Sequence, residues 1–192
     1  MISKKTVFLD RDGTINVEKN YLYRLEDFEF IPKAPEAIAM LNKCGYQVIV
    51  VSNQAGVARG YYTEDDVKKL HKYINLRLKE YNAHIDAFYY CPHHPEAGIG
   101  KYKKNCHCRK PETGLFEMAC NDFPIDVENS WMIGDNISDI KAGIRFNLKT
   151  ILVRTGYGLN LEKQGFAMYQ YIADDLYDAA SNIICKNIRG QE

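Results

Sequence analysis

A run of three apolar residues passes directly into two aspartates that lie one residue apart. Val7 to Leu9 have the unbroken hydrophobicity of a strand that is buried on both faces, and Asp10 and Asp12 follow it. Open α/β folds place their chemistry at the carboxyl ends of such strands. Two ionised carboxylates this close repel each other, and a divalent cation such as Mg²⁺ relieves that repulsion. The stretch therefore predicts a magnesium site at a sheet edge, with a simple Asp-Gly-Thr turn as the alternative.

The rest of the chain alternates strands with helices. Apolar runs rich in β-branched or aromatic residues predict four further strands, at 48–51, 87–90, 131–133 and 150–153. Helical spacing of apolar residues predicts helices at 34–44, 63–81, 114–121, 138–146 and 175–186, whereas 15–31 is expected to be a long loop. This order predicts an α/β fold, a Rossmann-like three-layer sandwich with a mainly parallel sheet. A chain of 192 residues is too short for two ordinary domains, so residues 1–192 are expected to form one.

Charge and hydropathy limit the classes of partner. Lys and Arg (25) balance Asp and Glu (25), so no overall field attracts the protein to nucleic acid or to a membrane surface. The basic run at 101–104 leaves a nucleic-acid 3′-phosphatase as a minor alternative. No apolar stretch suits a membrane span or a signal peptide, which predicts a cytoplasmic protein. Because no long apolar surface helix is visible, the protein is expected to be a monomer. In the cytoplasm the six cysteines are more typical of thiols or metal ligands than of disulfides.

The ends of the other predicted strands supply partners for a phosphate group and a metal ion. The Ser52 hydroxyl and the two backbone amides after it can hold phosphate oxygens. Asp135 follows the fourth strand and can complete the metal site, with Asp139 one helical turn later to brace it. The ammonium of Lys110 can offset the charge of the phosphate. Helix capping by Ser52 and Asp139, and solvation of Lys110, are the alternatives.

Two tight pairs of sulfur and imidazole ligands lie in the loop at about 91–110. The pairs Cys-x-His and Cys-x-Cys suit a closed tetrahedral zinc site, in which four protein ligands leave no open position, so this Zn²⁺ is expected to be structural. The predicted ligands are Cys91, His93, Cys106 and Cys108. His94 and His107 are spare imidazoles, and either can replace His93. Free thiols in a mobile loop are the alternative.

The motifs Asp10 to Thr14, Ser52, Lys110 and Gly134-Asp135 resemble the four signatures of the haloacid dehalogenase (HAD) superfamily of phosphatases. The resemblance implies that Asp10 attacks phosphorus and that Asp12 protonates the leaving alcohol and later activates water. It also implies that Mg²⁺ is held by Asp10, the backbone carbonyl of Asp12 and Asp135. Lys110 and Ser52 then stabilise the charge on the phosphoryl oxygens.

The zinc loop, Ser52 to Gly56 and the segment after Cys106 resemble the HAD subfamily of heptose-bisphosphate and histidinol-phosphate phosphatases, which lack a large cap domain. The resemblance implies hydrolysis of the 7-phosphate of a small-molecule substrate, D-glycero-D-manno-heptose-1,7-bisphosphate, in the biosynthesis of nucleotide-activated heptose for lipopolysaccharide. Histidinol phosphate is the alternative, since Glu18 can supply a charge for its amine. A catalytically silent zinc-stabilised binding module is less expected, because the carboxylates and the lysine are intact.

The same resemblance implies a set of substrate contacts. Arg109 is expected to recognise the substrate through its planar fork. Asn136 stands where the heptose enzymes often carry a basic residue, which puts a second-phosphate contact there in doubt. The residues expected to line the substrate side are Glu18, Lys19, Asn20, Tyr21, Asn53, Gln54, Ala55, Arg109 and Asn136.

Overall fold

The computed structural model describes residues 2–186, and within them six parallel strands form one sheet. The strands are β1 Thr6–Leu9, β2 Gln47–Asn53, β3 Ala87–Cys91, β4 Trp131–Gly134, β5 Lys149–Val153 and β6 Tyr171–Ala173. Their order in the sheet is β3-β2-β1-β4-β5-β6. The predicted fold class is confirmed. Strand β6 is an addition to the five predicted strands, since three residues at a sheet edge are too few to give a periodic pattern.

Helices connect the strands and cover the sheet. They are α1 Ala34–Lys43, α2 Ala55–Ala58, α3 Glu64–Leu78, α4 Gly114–Asp122, α5 Ile137–Arg145, α6 Gly158–Lys163 and α7 Leu176–Asp178, which a π-helical segment, Ala179–Ile184, continues. Helix α3 begins with a capping box, in which the Thr63 hydroxyl accepts from the Asp66 backbone N–H and the Asp66 carboxylate accepts from that of Thr63. The helices α2 and α6 were not predicted, because four and six residues show no helical period.

The two faces of the sheet carry separate hydrophobic clusters, which explains the unbroken apolar runs. Val7 and Leu9 of β1 lie in the cluster that includes α1, α3 and α7. Phe8 points to the opposite face and packs edge to face on Phe116 of α4, with ring centroids 4.9 Å apart. Within residues 2–186, no helix has both the length and the apolarity needed to cross a membrane.

The strand register brings the predicted site residues to one edge. Leu9 pairs with Val50 on one side and with Ile133 on the other. Because the three strands are parallel, the residues that follow these positions emerge at the same carboxyl edge. The segments after β1, β3 and β5 therefore surround the ends of the three central strands.

Candidate active site and metal centres

A polar cavity of about 310 Å³ opens at the carboxyl edge of the sheet. Its lining is almost entirely charged or hydrogen-bonding, and consists of Asp10, Asp12, Glu18, Ser52, Asn53, Arg109, Lys110, Asp135, Asn136, Ser138, Asp139 and Tyr157. The structure thus brings together the four residues with predicted catalytic roles and the additional predicted Mg²⁺ ligand, Asp135. The lining carries five carboxylates against two cationic side chains, so a phosphate ester would bind there together with a cation.

A buried ammonium lies between two carboxylates in this cavity. Lys110 Nζ lies 2.8 Å from Asp10 Oδ1 and 2.7 Å from Asp139 Oδ1, and it donates to the Val51 carbonyl at 2.6 Å. Burial alone would lower the pKa of Lys110, but the charges of Asp10 and Asp139 outweigh it and raise the pKa. The side chain is 2 % exposed and stays charged, so it is a fixed counter-charge beside Asp10.

Asp139 lies at the predicted metal site and contacts it through Lys110. Its Oδ2 accepts from the Asn136 backbone N–H at 3.0 Å, as part of the capping box of α5, while its Oδ1 pairs with Lys110. Asp139 therefore both caps α5 and pairs with the charge of Lys110. Asn136 is the N-cap of α5, which accounts for its position at the cavity wall.

Asn53 fixes the chain around Lys110 from the neighbouring strand. Its Oδ1 accepts from the Lys110 backbone N–H, and its Nδ2 donates to the Lys110 carbonyl, both at 3.0 Å. Both polar atoms of the Asn53 amide are thus engaged with one residue. The end of β2 thereby sets the position of the loop that delivers Lys110 to the cavity.

Three carboxylates meet at one point of the cavity. Oxygen atoms of Asp10, Asp135 and Asp139 lie within 4.8 Å of one another. Burial is the main cause that raises the pKa of Asp10 to about 7 and the pKa of Asp135 to about 9. The charges of the neighbouring carboxylates raise both values further. When the three carboxylates are ionised, Lys110 offsets only one of their three negative charges. The remaining negative charge suits a divalent cation.

Two glycines lie so close to the Asp135 carboxylate that neither position can carry a side chain. A Cβ at Gly13 or at Gly156 would collide with the Asp135 carboxylate, and both glycines have positive φ. The Tyr157 backbone N–H donates to Asp135 Oδ2 at 2.8 Å. The Asp12 carbonyl accepts no hydrogen bond from the described residues. This set of oxygen donors fits Mg²⁺.

The Asp12 carboxylate is held from three directions. Arg11, which is fully buried, donates from Nη2 to both carboxylate oxygens at 2.7 and 3.0 Å and from Nε to Oδ1 at 3.2 Å. Asn16 Nδ2 donates to Oδ1 at 2.9 Å, and Gln54 Nε2 donates to Oδ2 at 3.1 Å. Sequence reasoning missed Arg11 and Asn16, since a charged residue in a turn is usually solvated. These contacts fix the orientation of Asp12.

Some predicted substrate residues lie outside the catalytic cavity. Lys19 Nζ donates to the Asp27 carbonyl at 2.8 Å and pairs with a glutamate of the same loop. Asn20 lines an adjoining cavity of about 470 Å³. Tyr21 packs on Tyr61 with ring centroids 4.9 Å apart and is partly exposed. None of these three residues lines the catalytic cavity.

The remaining predicted substrate residues follow β2. Gln54 is buried behind Asp12, and Ala55 is the first residue of α2. Two residues of the cavity wall were not predicted, Ser138 and Tyr157. Tyr157 precedes the short helix α6, which gave no signal in the sequence. Its ring is the only aromatic surface in the lining of the catalytic cavity among the described residues.

The predicted zinc ligands form a cluster whose ligand atoms lie within 4.8 Å of one another. Cys108 Sγ lies 3.3 Å from the sulfurs of Cys91 and Cys106 and 3.5 Å from His93 Nδ1. Zinc ligands at about 2.3 Å in a tetrahedron lie about 3.8 Å apart, whereas a disulfide needs about 2.05 Å. Hydrogen bonding with Cys91, Cys106 and His93 lowers the pKa of Cys108 to about 5, which favours a thiolate at Cys108. This geometry fits a tetrahedral Zn²⁺ ion.

The two spare imidazoles are engaged elsewhere. His94 Nδ1 accepts from the Glu96 and Ala97 backbone N–H groups, at 3.2 and 3.0 Å. His107 Nε2 lies 2.8 Å from Glu117 Oε1 on α4. Among the described imidazoles, the cluster therefore contains that of His93 alone.

The basic run at 101–104 is part of the packing of the loop. The Tyr102 hydroxyl donates to Glu64 Oε1 at 2.7 Å, and the Tyr90 hydroxyl donates to Glu64 Oε2 at 2.9 Å. The loop is thereby joined to the start of α3. A stacking surface for nucleic-acid bases needs a free ring face, whereas Lys101 Nζ lies 5.0 Å from the centroid of the Tyr102 ring.

Comparison with known proteins gives a consistent set of relatives. The HAD-hydrolase-like family profile matches residues 107–179. The chain is 42% identical over 175 residues to the D-glycero-beta-D-manno-heptose-1,7-bisphosphate 7-phosphatase of Haemophilus influenzae, which covers 91% of this chain and 94% of the relative. The Escherichia coli (strain K12) protein of the same name is 39% identical over 166 residues, with 86% and 87% covered.

A solved structure has the same fold over nearly the whole chain. The crystal structure of D,D-heptose 1.7-bisphosphate phosphatase from B. bronchiseptica, complexed with magnesium and phosphate, superposes with a TM-score of 0.84 at 27% identity. The match covers 95% of this chain and 99% of that one. The neighbour thus holds both a magnesium ion and a phosphate on this fold.

Proposed function

The chain belongs to the heptose-bisphosphate phosphatases of the HAD superfamily and is a phosphatase, and on that premise we propose that it removes the 7-phosphate of D-glycero-D-manno-heptose-1,7-bisphosphate. The relatives named above carry the beta anomer in their names. The reaction serves the biosynthesis of nucleotide-activated heptose. A monomeric state, a single domain and a cytoplasmic location stay predictions from the sequence.

One observation carries the chemistry of the proposal. A nucleophile candidate, Asp10, shares a cavity of about 310 Å³ with the acid and base candidate Asp12, the phosphate-binding hydroxyl of Ser52 and the buried ammonium of Lys110. Asp10, Asp12 and Lys110 are fixed by the contacts described above, so the site needs little reorganisation on binding.

The magnesium ion of the proposal is held by Asp10, the carbonyl of Asp12 and Asp135. Burial, and to a lesser degree the neighbouring carboxylates, raise the pKa of Asp10 and of Asp135, and a bound cation would offset both effects by favouring the ionised forms. When bound, Mg²⁺ supplies electrostatic stabilisation of the phosphoryl oxygens and offsets the repulsion between substrate and carboxylates. Asp139 is excluded from the ligand set, because its Oδ1 pairs with Lys110 and its Oδ2 caps α5.

In the first half of the reaction, an oxygen of Asp10 forms a bond to phosphorus while the bond from phosphorus to the sugar oxygen breaks. Asp12 gives its proton to that sugar oxygen, which leaves as an alcohol. Lys110 and Ser52 stabilise the charge on the transferred group. The product is an aspartyl-phosphate on Asp10 and an ionised Asp12.

In the second half, Asp12 accepts a proton from water, whose oxygen attacks phosphorus. The bond from phosphorus to Asp10 breaks, which releases inorganic phosphate and restores both carboxyl groups to their starting states. Fixation by Arg11, Asn16 and Gln54 keeps Asp12 in one position for both proton transfers.

The second phosphate of the substrate is proposed to bind next to the catalytic cavity. A neighbouring cavity of about 600 Å³ shares Arg109 and Lys110 with it and is also lined by Lys104 and His107. Arg109 Nη1 donates to the His93 carbonyl at 3.1 Å, so the zinc loop sets the position of the guanidinium. Glu112 also lines this cavity but pairs with Arg145 at 2.6 Å, so Lys104 and Arg109 can replace the contact that Asn136 does not provide.

The zinc ion of the proposal is structural and is held by Cys91, His93, Cys106 and Cys108. Four protein ligands complete a tetrahedron and leave no position for substrate. The last ligand directly precedes Arg109 and Lys110 in the chain. The ion would therefore stabilise the segment that carries both cationic side chains of the site.

Without Mg²⁺, the protein should lose thermal stability as the pH rises from about 5 to about 9. In this range Asp10 and Asp135, whose pKa values are raised from the ordinary 3.8 to about 7 and about 9, bind protons in the folded state but not in the unfolded state. Stability falls with pH wherever the folded state binds more protons. Since Mg²⁺ binds the ionised carboxylates, the increase in Tm on its addition should grow over the same range.

Calorimetry of the zinc-loaded protein across this pH range, with and without Mg²⁺, measures the effect. The variant Asp135→Asn should show a smaller increase that grows less with pH, because Asp10 alone still titrates in this range. An increase in Tm that is the same at all pH values in the parent protein would contradict the assigned carboxylates.

Replacement of Tyr157 by alanine should raise the KM for the sugar substrate about 10-fold and leave kcat within about 3-fold. The ring offers a stacking surface for the C–H groups of a sugar, while the backbone N–H that holds Asp135 remains. Steady-state kinetics with Tyr157→Ala and with Tyr171→Ala, an exposed tyrosine of β6, would test this. An unchanged KM in Tyr157→Ala would remove the ring from the substrate surface.

The substrate is tested by phosphate release from a panel in the presence of magnesium. The panel contains both anomers of heptose-1,7-bisphosphate, histidinol phosphate, fructose-1,6-bisphosphate and a 3′-phosphorylated oligonucleotide. The highest kcat/KM is expected for a heptose bisphosphate, with release of the 7-phosphate only. A higher value for another member would keep the phosphatase and replace the proposed substrate.

A further inference from the structure

One amide nitrogen contacts both the candidate acid and the phosphate-binding hydroxyl. Gln54 Nε2 donates to Asp12 Oδ2 at 3.1 Å and to Ser52 Oγ at 2.8 Å. The Gln54 side chain is 1 % exposed and does not line the catalytic cavity. It therefore acts behind the two residues rather than on a bound substrate.

The hydrogen-bonding partners on the two sides of the Gln54 amide determine which way the amide faces. Asp12 already accepts hydrogen bonds from Arg11 and Asn16, and the NH₂ group of Gln54 faces its Oδ2 as a further donor. On the other side, the Tyr62 hydroxyl donates to Gln54 Oε1 at 2.7 Å. Both of the amide hydrogens and its oxygen are then used, and a flipped amide would place its oxygen against the carboxylate.

Tyr62 is itself fixed. Its ring stacks on Tyr23 with centroids 5.3 Å apart, and it packs so closely on Gly56 that a Cβ there would collide with it. The side chain is buried, and burial raises the pKa of the Tyr62 hydroxyl. The hydroxyl therefore remains a donor throughout the working range of pH.

The direction of the Ser52 proton follows from the same contact. A serine hydroxyl has one hydrogen to donate, and its oxygen here already accepts from Gln54. No described residue accepts from the Ser52 hydroxyl, which borders the catalytic cavity. The hydrogen is thus available to a phosphoryl oxygen in that cavity.

We propose that Gln54, oriented by Tyr62, is a positioning residue that fixes the general acid Asp12 and the donor direction of Ser52 together. This inference rests on the proposed roles of Asp12 and Ser52. It also replaces the substrate contact expected for Gln54 from the sequence, because the side chain reaches the reaction only through its two partners.

The test compares two leaving groups. The best alkyl phosphate of the panel above needs a proton on its departing oxygen, whereas 4-nitrophenyl phosphate releases a stable phenolate without one. The quantity compared is the kcat/KM for the alkyl phosphate divided by the kcat/KM for 4-nitrophenyl phosphate. Both values report phosphoryl transfer to Asp10 and not the later hydrolysis. A loss of Ser52 function or of folded protein lowers both kcat/KM values equally and leaves the ratio unchanged.

Gln54→Glu keeps the shape of the side chain but removes both donors and adds a negative charge. We expect it to lower the ratio at least about 10-fold, and Tyr62→Phe to lower it by a smaller factor, because correct placement of a general acid contributes about 10²-fold or more. Tyr23→Phe is the matched control, since it removes a hydroxyl from the same aromatic pair without touching Gln54, and should leave the ratio unchanged. An unchanged ratio in Gln54→Glu would overturn the proposal.

Asp12→Asn separates this inference from the proposed function. If Asp12→Asn lowers the ratio and Gln54→Glu does not, Asp12 is the acid and only the positioning role of Gln54 fails. If Asp12→Asn leaves the ratio unchanged, the assignment of Asp12 as the acid fails, and the positioning proposal fails with it. Because the ratio uses whichever alkyl phosphate is turned over best, a wrong choice of sugar substrate affects neither conclusion.

Discussion

Asp10→Asn is expected to lower turnover by about 10⁴-fold or more, as removal of a catalytic nucleophile does. An amide oxygen cannot form the bond to phosphorus at a useful rate, although it has nearly the size of a carboxylate. The new carbonyl oxygen can still accept the hydrogen bond that Lys110 donates to Asp10 Oδ1. The packing around the site should therefore persist while the chemistry is lost.

The same substitution should leave Tm unchanged or slightly raised in the absence of Mg²⁺. It removes one of three buried negative charges whose repulsion contributes to the raised pKa of Asp135. Measuring Tm and turnover on one preparation separates loss of the nucleophile from loss of the fold. Mass spectrometry should find a phosphoryl group on residue 10 of the parent protein after quenching with acid, and none in the variant.

Asp65→Asn is a suitable control, because it removes the same charge from an exposed position on α3. It should change neither Tm nor turnover. Turnover of Asp10→Asn within about 10-fold of the parent value would exclude Asp10 as the nucleophile, since a nucleophile contributes far more than that.

The central sheet could be predicted because its strands are buried on both faces. In β1, β2 and β4 this burial produces apolar runs that end sharply at polar residues, and parallel pairing then places those ends at one edge. Asp10, Ser52 and Asp135 were located by this argument alone. The pairing of Cys91 with His93, and of Cys106 with Cys108, was equally visible, because the ligands of each pair are two residues apart.

The parts that escaped prediction depend on where loops run. Arg11 is buried because the 15–31 loop folds over it, and its Nη2 donates to the Leu22 carbonyl at 3.2 Å. Tyr62 reaches Gln54 only through the turn that separates α2 from α3. No periodic pattern encodes such contacts, so a single sequence does not distinguish a buried arginine or tyrosine from a solvated one.

The loop at 91–110 connects two parts of the chain that act together in the proposed mechanism. Gln54, which contacts Asp12, donates its backbone N–H to the Cys91 carbonyl at 2.8 Å. Asn53, its neighbour, holds the backbone of Lys110 at the other end of the loop. The end of β2 is thus bonded to both ends of the loop, and a disordered loop would disturb the acid and the ammonium at once.

Cys106→Ser should therefore remove the zinc ion and lower Tm by about 10 °C, because loss of a structural metal site costs several kcal/mol of folding free energy. A serine hydroxyl does not replace a thiolate as a zinc ligand, and three ligands hold the ion much more weakly than four. The sulfur of Cys106 lies 3.4 Å from that of Cys91 and 3.3 Å from that of Cys108, so its loss opens one corner of the cluster. Elemental analysis and calorimetry of the purified variant measure the two effects.

Turnover of Cys106→Ser should fall less than that of Asp10→Asn when both are measured well below the lowered Tm. Sheet packing still positions the carboxylates there, and Asn53 still holds Lys110 by its backbone. Cys120→Ser is the matched control, since it exchanges the same atom at a half-buried position of α4 outside the cluster. If Cys106→Ser still carries one zinc ion per chain, Cys106 is not a ligand. If it loses zinc with no change in Tm, the ion does not stabilise the fold.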